Sequence, residues 1–122
     1  MLNIKKLFRS FGYAIAGMLI ALREQQNMRI HLLAVLVVTV FGVFIDLDPV
    51  EWSIISLTYG LVLVAEMFNS AIEYLIDLIS PQRQPLAAKA KDVAAGAVLV
   101  AAVVATCVAI SIFGNKLFNQ LL

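Results

Sequence analysis

Charged side chains are scarce in this 122-residue chain: only 14% are Asp, Glu, Lys or Arg, against about 25% in an ordinary soluble domain. That scarcity excludes intrinsic disorder, which needs high charge and few apolar residues. Nine Lys and Arg nearly cancel eight Asp and Glu, leaving a net charge of +1, so no field collects polyanions and no nucleic-acid partner is expected. One cysteine, Cys107, cannot form an internal disulfide, which removes the secreted disulfide scaffolds. His31 is the only histidine, and no Cys/His cluster has metal-ligand spacing. There is no G-x-x-x-x-G-K-[ST] loop and no Gly-rich loop after a strand pattern. Any nucleotide must therefore be held another way. Neither an internal repeat nor a low-complexity tail is present, and the length allows one compact domain over 1–122.

What the chain has in excess is hydrophobicity. Apolar residues make up 62% and the mean hydropathy is +0.96, well above the roughly 45–50% apolar content of soluble domains. The natural solvent for such a chain is lipid. A bilayer core of about 30 Å takes roughly 20 helical residues, and three apolar stretches are candidates, 30–47, 50–79 and 93–113. The first is slightly short, and snorkelling of Arg29 would help it. The second is too long and should tilt or protrude. The third is rich in Ala, Val and Gly, which lets helices approach closely in lipid.

Before them, residues 1–29 carry Ile4, Phe8, Phe11, Ile15, Met18 and Leu22 at intervals of three or four, flanked by bases. That pattern predicts a helix lying along the membrane surface, and a soluble amphipathic helix packed on another domain is the plainer alternative. It is not expected to be a cleaved signal peptide, since Arg23 and Glu24 stand where a small-residue cleavage site belongs. The fold class expected is thus all-α, a surface helix followed by three transmembrane helices. The connection Asp46 to Glu51 has three acids and no base, whereas Ser80 to Asp92 has three bases. By the positive-inside rule the N-terminus and the second connection are cytoplasmic, and the C-terminus is outside. Trp52 and Tyr59 fall near the outer interface, where amphipathic rings sit. Ser-Pro at 80–81 and Gln-Pro at 84–85 break the chain after the second span.

That second span also carries Glu66, Asn69, Glu73 and Asp77, at offsets of 0, 3, 7 and 11. At 100° per residue the four fall within about 80° of arc, with Ser70 at the edge. An acid at mid-bilayer costs roughly 2.5–3.5 kcal/mol on insertion scales, so three on one helix face point to function. The bland alternative is a polar seam between helices, capped by Lys89, Arg83 or Lys91, but such seams favour Ser, Thr or Asn. Counting inward from Trp52 puts Glu66 several Å below the cytoplasmic headgroups and Glu73 and Asp77 at or above them. Glu24, in the run Arg23–His31, shares the layer of Glu73. Lys89, Lys91 and Asp92 stand at the mouth of the third span. Carboxylates from two elements with lysines from a third suit a nucleotide with magnesium, which takes one or two carboxylates and completes its shell with phosphate and water. Taken singly, each lysine reads equally as a topological anchor. His31 reads as an interfacial packing or hydrogen-bonding residue and Cys107 as an apolar filler.

The stretch Glu66-Met67-Phe68-Asn69-Ser70-Ala71-Ile72-Glu73-Tyr74-Leu75-Ile76-Asp77 resembles the signature of the small prokaryotic diacylglycerol kinases, a family that includes undecaprenol kinases, in the pattern E-x-x-N-[ST]-A-I-E-x-x-[IV]-D. Asn27-x-Arg29-Ile30-His31, Pro85-Leu86-Ala87 and Ala90-Lys91-Asp92-x-Ala94-Ala95-Gly96-Ala97 extend the resemblance, which runs from about Phe8 to Phe113. It implies a homotrimer in the cell's inner membrane and phosphorylation of a membrane lipid alcohol, diacylglycerol or undecaprenol, by ATP with Mg²⁺. It further implies Glu66 as catalytic base, Glu73 as metal ligand, Lys91 and Asp92 as ATP contacts, and Asn69 as support for the site. The N-x-R-I-H and P-L-A stretches look closer to the undecaprenol branch.

The chain departs from the family at three places. The metal-binding glutamate normally two positions before the Asn of N-x-R-I-H is Gln25 here, with the acid one residue earlier at Glu24. One residue is 100° of helix, so Glu24 can serve ATP and metal only if the helix is irregular there; Gln25 offers a neutral oxygen instead. The histidine often found before Pro-Leu-Ala is Gln84, and a nearby lysine is displaced to Lys89. Two other readings stand beside the kinase. One is a small oligomeric cation or proton transporter subunit using Glu66 as carrier carboxylate. The other is a non-catalytic family member.

Overall fold

The chain forms four α-helices and no strand in a computed structural model describing residues 1–122, which is the all-α architecture expected. The helices are α1 (Ile4–Glu24), α2 (Gln26–Phe44), α3 (Pro49–Ile79) and α4 (Pro85–Leu121). The last three are each long and apolar enough to cross a membrane. At 1.5 Å per residue α3 and α4 run about 46 and 56 Å, so each tilts or reaches beyond a hydrocarbon core of about 30 Å.

Local chemistry sets the helix ends. Asn3 caps α1, its side chain accepting from the Lys6 N–H at 3.2 Å. Gln25 interrupts the chain with an extended backbone (φ −102°, ψ 114°). Arg29, in the first turn of α2, folds back and donates through Nη1 to the carbonyls of Arg23 at 2.8 Å and Leu22 at 3.4 Å. These are carbonyls that the end of α1 leaves without helical partners. Arg29 therefore braces the corner between α1 and α2.

At the other end of α2 the chain closes a Schellman turn. Leu47 N–H donates to Gly42 O at 3.1 Å and Asp46 N–H to Val43 O at 3.3 Å, with Asp46 in the left-handed region at φ 60°. This position is normally glycine. Asp48 then opens α3 with a capping box: its Oδ1 accepts from the Val50 and Glu51 N–H groups, and Glu51 Oε2 accepts from the Asp48 N–H. Pro49 sits at the first helical position, where its missing N–H is harmless.

α4 begins at Pro85, eight residues before the expected span, and ends eight residues after it. Hydropathy marks where lipid begins, but a helix ends at a breaker, and no proline follows Pro85.

The pair α3–α4 dominates the packing; α2 rests on α3, and α1 touches both near the end carrying the α3–α4 loop. That end is called the basic end below, and the α2–α3 turn the acidic end. α4 buries Ala94, Val98 and Ala101, a stripe of small residues at helical spacing that lets backbones approach. At the acidic end Ile45, Leu47 and Ile55 form a core with Val38, Trp52, Tyr59, Ile112 and Phe113 packed on it. Lys116 Nζ meets Glu51 Oε2 at 3.1 Å and Gln120 Nε2 donates to Ile45 O at 3.1 Å, tying the last turns of α4 to the corner. Gly42 is required there, since a Cβ would stand 2.7 Å from the Trp52 ring and 2.8 Å from Leu47 Cδ1. Only 13 of 122 residues are buried; the apolar side chains therefore face outward, as in a protein whose solvent is lipid. Cys107 is exposed, so it fills no core.

Candidate functional site

The polar stripe of α3 runs from buried to exposed. Glu66 is 1% exposed, Ser70 2% and Asn69 5%. Glu73, one turn on from Asn69, is half-buried, and the Asp77 side chain is 63% exposed. Helical periodicity aligns these groups; packing of α2 and α4 on α3 buries the first of them. Ser70 Oγ donates to the Glu66 carbonyl at 2.9 Å, and Asn69 Nδ2 lies 3.4 Å from Glu73 Oε1. Both carboxylate oxygens of Glu66 are buried without a hydrogen-bond partner, and so is Asn69 Oδ1. Buried polar atoms are rarely left so.

Two cavities meet beside it. One, of about 280 Å³, is lined by Asn27, Ile30, His31, Glu66, Asn69 and residues of α4. The other, of about 270 Å³, continues between α2, α3 and α4 toward Tyr59 and is almost wholly apolar, its polar side chains being His31, Tyr59 and Thr106. His31 and Ala102 line both. His31 Nε2 stands 3.8 Å from Glu66 Oε2. The sequence reading gave His31 as an interfacial packing or hydrogen-bonding residue, without a partner. No periodicity links it to Glu66, and only the seating of α2 on α3 reveals the pair.

Glu24 is reached from α3. Tyr74 Oη donates to Glu24 Oε2 at 2.6 Å, and Gln25 Nε2 is 3.4 Å from the same hydroxyl. The extended backbone at Gln25 makes the chain irregular directly after Glu24. The sequence reading gave Tyr74 no role, since it stands at an unspecified position of the signature. It has both Glu24 and Glu73 as charged neighbours. No three of His, Cys, Asp and Glu converge as a metal cluster, so nothing here fits a zinc site, which needs three or four such ligands. Two carboxylates beside one tyrosine do fit Mg²⁺, which draws the rest of its shell from phosphate and water.

At the basic end a cleft of about 540 Å³ opens between the end of α3 and the start of α4, lined by Asp77, Arg83, Lys91 and Asp92 among others. Lys91 Nζ is bound to Asp77 Oδ1 at 2.5 Å. Lys89 lies outside this lining and is exposed. The structure thus brings Glu66 to Asn69 and His31, Glu24 to Tyr74, and Lys91 and Asp92 to one cleft. Arranged from mid-helix to basic end stand an apolar groove, a buried carboxylate, a pair of acids and a charged cleft. That is an order in which an oily alcohol and a dissolved polyanion meet.

Comparison with known proteins agrees with this geometry. The sequence profile of the prokaryotic diacylglycerol kinase family matches residues 12–113. The chain is 39% identical to an undecaprenol kinase of Bacillus subtilis over 94% of each chain. It is 39% identical to a diacylglycerol kinase of Synechocystis, covering 84% of this chain and 59% of that one. A diacylglycerol kinase of Escherichia coli K12 is 31% identical over 82% of each chain.

Proposed function

The chain belongs to the prokaryotic diacylglycerol kinase family, and from that premise we propose that it is a multi-pass membrane lipid kinase transferring the γ-phosphoryl group of ATP, with Mg²⁺, to the hydroxyl of a lipid alcohol. Of the two lipids named among its relatives, undecaprenol is the reading we favour. The matching undecaprenol kinase is covered over 94% of both chains, and the groove beside Glu66 is apolar, with few groups to read a glycerol ester. The comparisons lend the transporter reading no support. Against the Gln25 departure that favoured a non-catalytic member, the hydrogen bond from Tyr74 to Glu24 supports Glu24 as its substitute.

The observation carrying this reading is the buried, unpartnered carboxylate of Glu66 at the head of an apolar groove. The lipid body lies along the groove and brings its hydroxyl to Glu66, which accepts the proton as the oxygen attacks phosphorus. Asn69 holds Glu73 in place. Lys91 and Asp92 meet the nucleotide in the cleft, where Lys91 leaves Asp77 to neutralise phosphate charge. Mg²⁺, when bound by Glu73 and Glu24, supplies charge neutralisation, the main demand of phosphoryl transfer. The basic end faces the cytosol and the C-terminus the outside, in the inner membrane. Three helices with so little buried surface suit a homotrimer with sites shared between subunits. Incubating purified protein with labelled ATP and each lipid alcohol in turn tests the reading: a labelled phospholipid product supports it, and no product from either lipid overturns it.

A further inference from the structure

Burial gives Glu66 a task its own position cannot complete. A base that takes a hydroxyl proton in each turnover must return that proton to water before the next. The Glu66 carboxylate is 1% exposed and has no hydrogen-bond partner in the chain. The ionisable groups lining the two cavities are Glu66, His31 and Tyr59. Tyr59 packs on the core at the acidic end, away from the phosphate cleft, and Glu73 lies two turns along α3. His31 alone forms a close charged-type pair with Glu66, Nε2 to Oε2 at 3.8 Å, and its side chain is 20% exposed.

We propose that His31 is the positioning and proton-relay residue for Glu66. This rests on the lipid-kinase reading with Glu66 as base. The lipid oxygen bonds to the γ-phosphorus while the bond from that phosphorus to the β,γ-bridging oxygen breaks and ADP leaves. The hydroxyl proton passes to Glu66. From the Glu66 carboxylic acid it moves to Nε2 of the His31 imidazole; the imidazolium then gives one proton to water and returns to the tautomer whose Nε2 is free for the next turnover. The present 3.8 Å exceeds the 2.7–3.2 Å of a hydrogen bond; a rotamer change or one bridging water closes it, as catalytic contacts tighten when substrate binds. The corner made by Arg29 with the carbonyls of Leu22 and Arg23, two residues before His31, fixes where α2 starts and so where the imidazole falls.

The test compares wild type, His31→Ala, His31→Asn and Glu66→Gln in detergent, with ATP and undecaprenol, or diacylglycerol if that is the lipid turned over. The expected result is a kcat at least ten-fold lower in both His31 variants, with KM for ATP and lipid within two-fold of wild type. Added imidazole restores turnover of His31→Ala by several-fold and leaves Glu66→Gln inactive. A His31→Ala protein within two-fold of wild-type kcat overturns the relay, as does a loss that imidazole does not relieve. If His31→Ala does not yield a soluble, helical protein, His31→Asn decides alone by the same kcat threshold. An active Glu66→Gln overturns instead the assignment of the base, and an inactive wild type overturns the kinase reading itself.

Discussion

Tyr74 donates its phenolic hydrogen to Glu24 Oε2 across 2.6 Å, joining α3 to the last residue of α1. The two stand 50 residues apart in sequence, and Tyr74 has Glu73 as a second charged neighbour. A hydrogen bond to a charged group contributes about 1.5–3 kcal/mol when buried, and less here because both residues are exposed. Tyr74→Phe should therefore raise the Mg²⁺ concentration for half-maximal activity about three- to ten-fold, with turnover at saturating Mg²⁺ reduced less than three-fold. Manganese binding without lipid, followed by electron paramagnetic resonance, should weaken in parallel. Unchanged binding and unchanged Mg²⁺ dependence would contradict a role for Glu24 at the metal.

Arg29 serves the same corner from the other side. Arg29→Gln leaves carbonyls of α1 without their guanidinium donor, a loss of about 1 kcal/mol. The midpoint of thermal unfolding in detergent should fall, and activity should fall with it, because both Glu24 and His31 are placed by this corner. An unaltered midpoint would show that the donor pair adds nothing.

The acidic end offers two opposed substitutions. Asp46 holds a left-handed conformation that glycine adopts at little cost, so Asp46→Gly should raise stability by up to about 1 kcal/mol. Gly42→Ala pushes a Cβ into the Trp52 ring and Leu47 and should lower stability by about 1–3 kcal/mol. Denaturation of both variants in one detergent checks the pair; movement in the same direction for both would contradict this account of the turn.

These predictions divide along what the residues alone disclose. The stripe of Glu66, Asn69, Glu73 and Asp77 was legible because helical periodicity is local. The break after Ser80 was equally local, whereas the capping box of Asp48 and Glu51 emerges only from the structure. The helix α4 runs past the apolar stretch 93–113 at both ends, because apolar content marks a span and helix chemistry marks where the helix ends. His31 and Tyr74 were missed for a different reason. Each matters through a partner on another helix, and the partnership depends on the extended backbone of Gln25 and the seating of α2 on α3. Neither leaves a trace in spacing.

The cleft at the basic end yields one more expectation. Lys91 is paired with Asp77 and must exchange that partner for phosphate. Lys91→Met should raise KM for ATP at least ten-fold while leaving KM for the lipid within two-fold. Steady-state kinetics with each substrate varied in turn decides it, and an equal rise in both constants would contradict a nucleotide-specific role.

The most direct measurement replaces the buried carboxylate by its neutral isostere. Glu66→Gln keeps the shape and removes the base, and general-base catalysis contributes about 100-fold or more. Labelled-phosphate transfer to lipid should fall by at least that factor, while helical content and ATP binding stay at wild-type levels. Phosphorylated lipid formed at a near-wild-type rate by this variant would contradict Glu66 as the base.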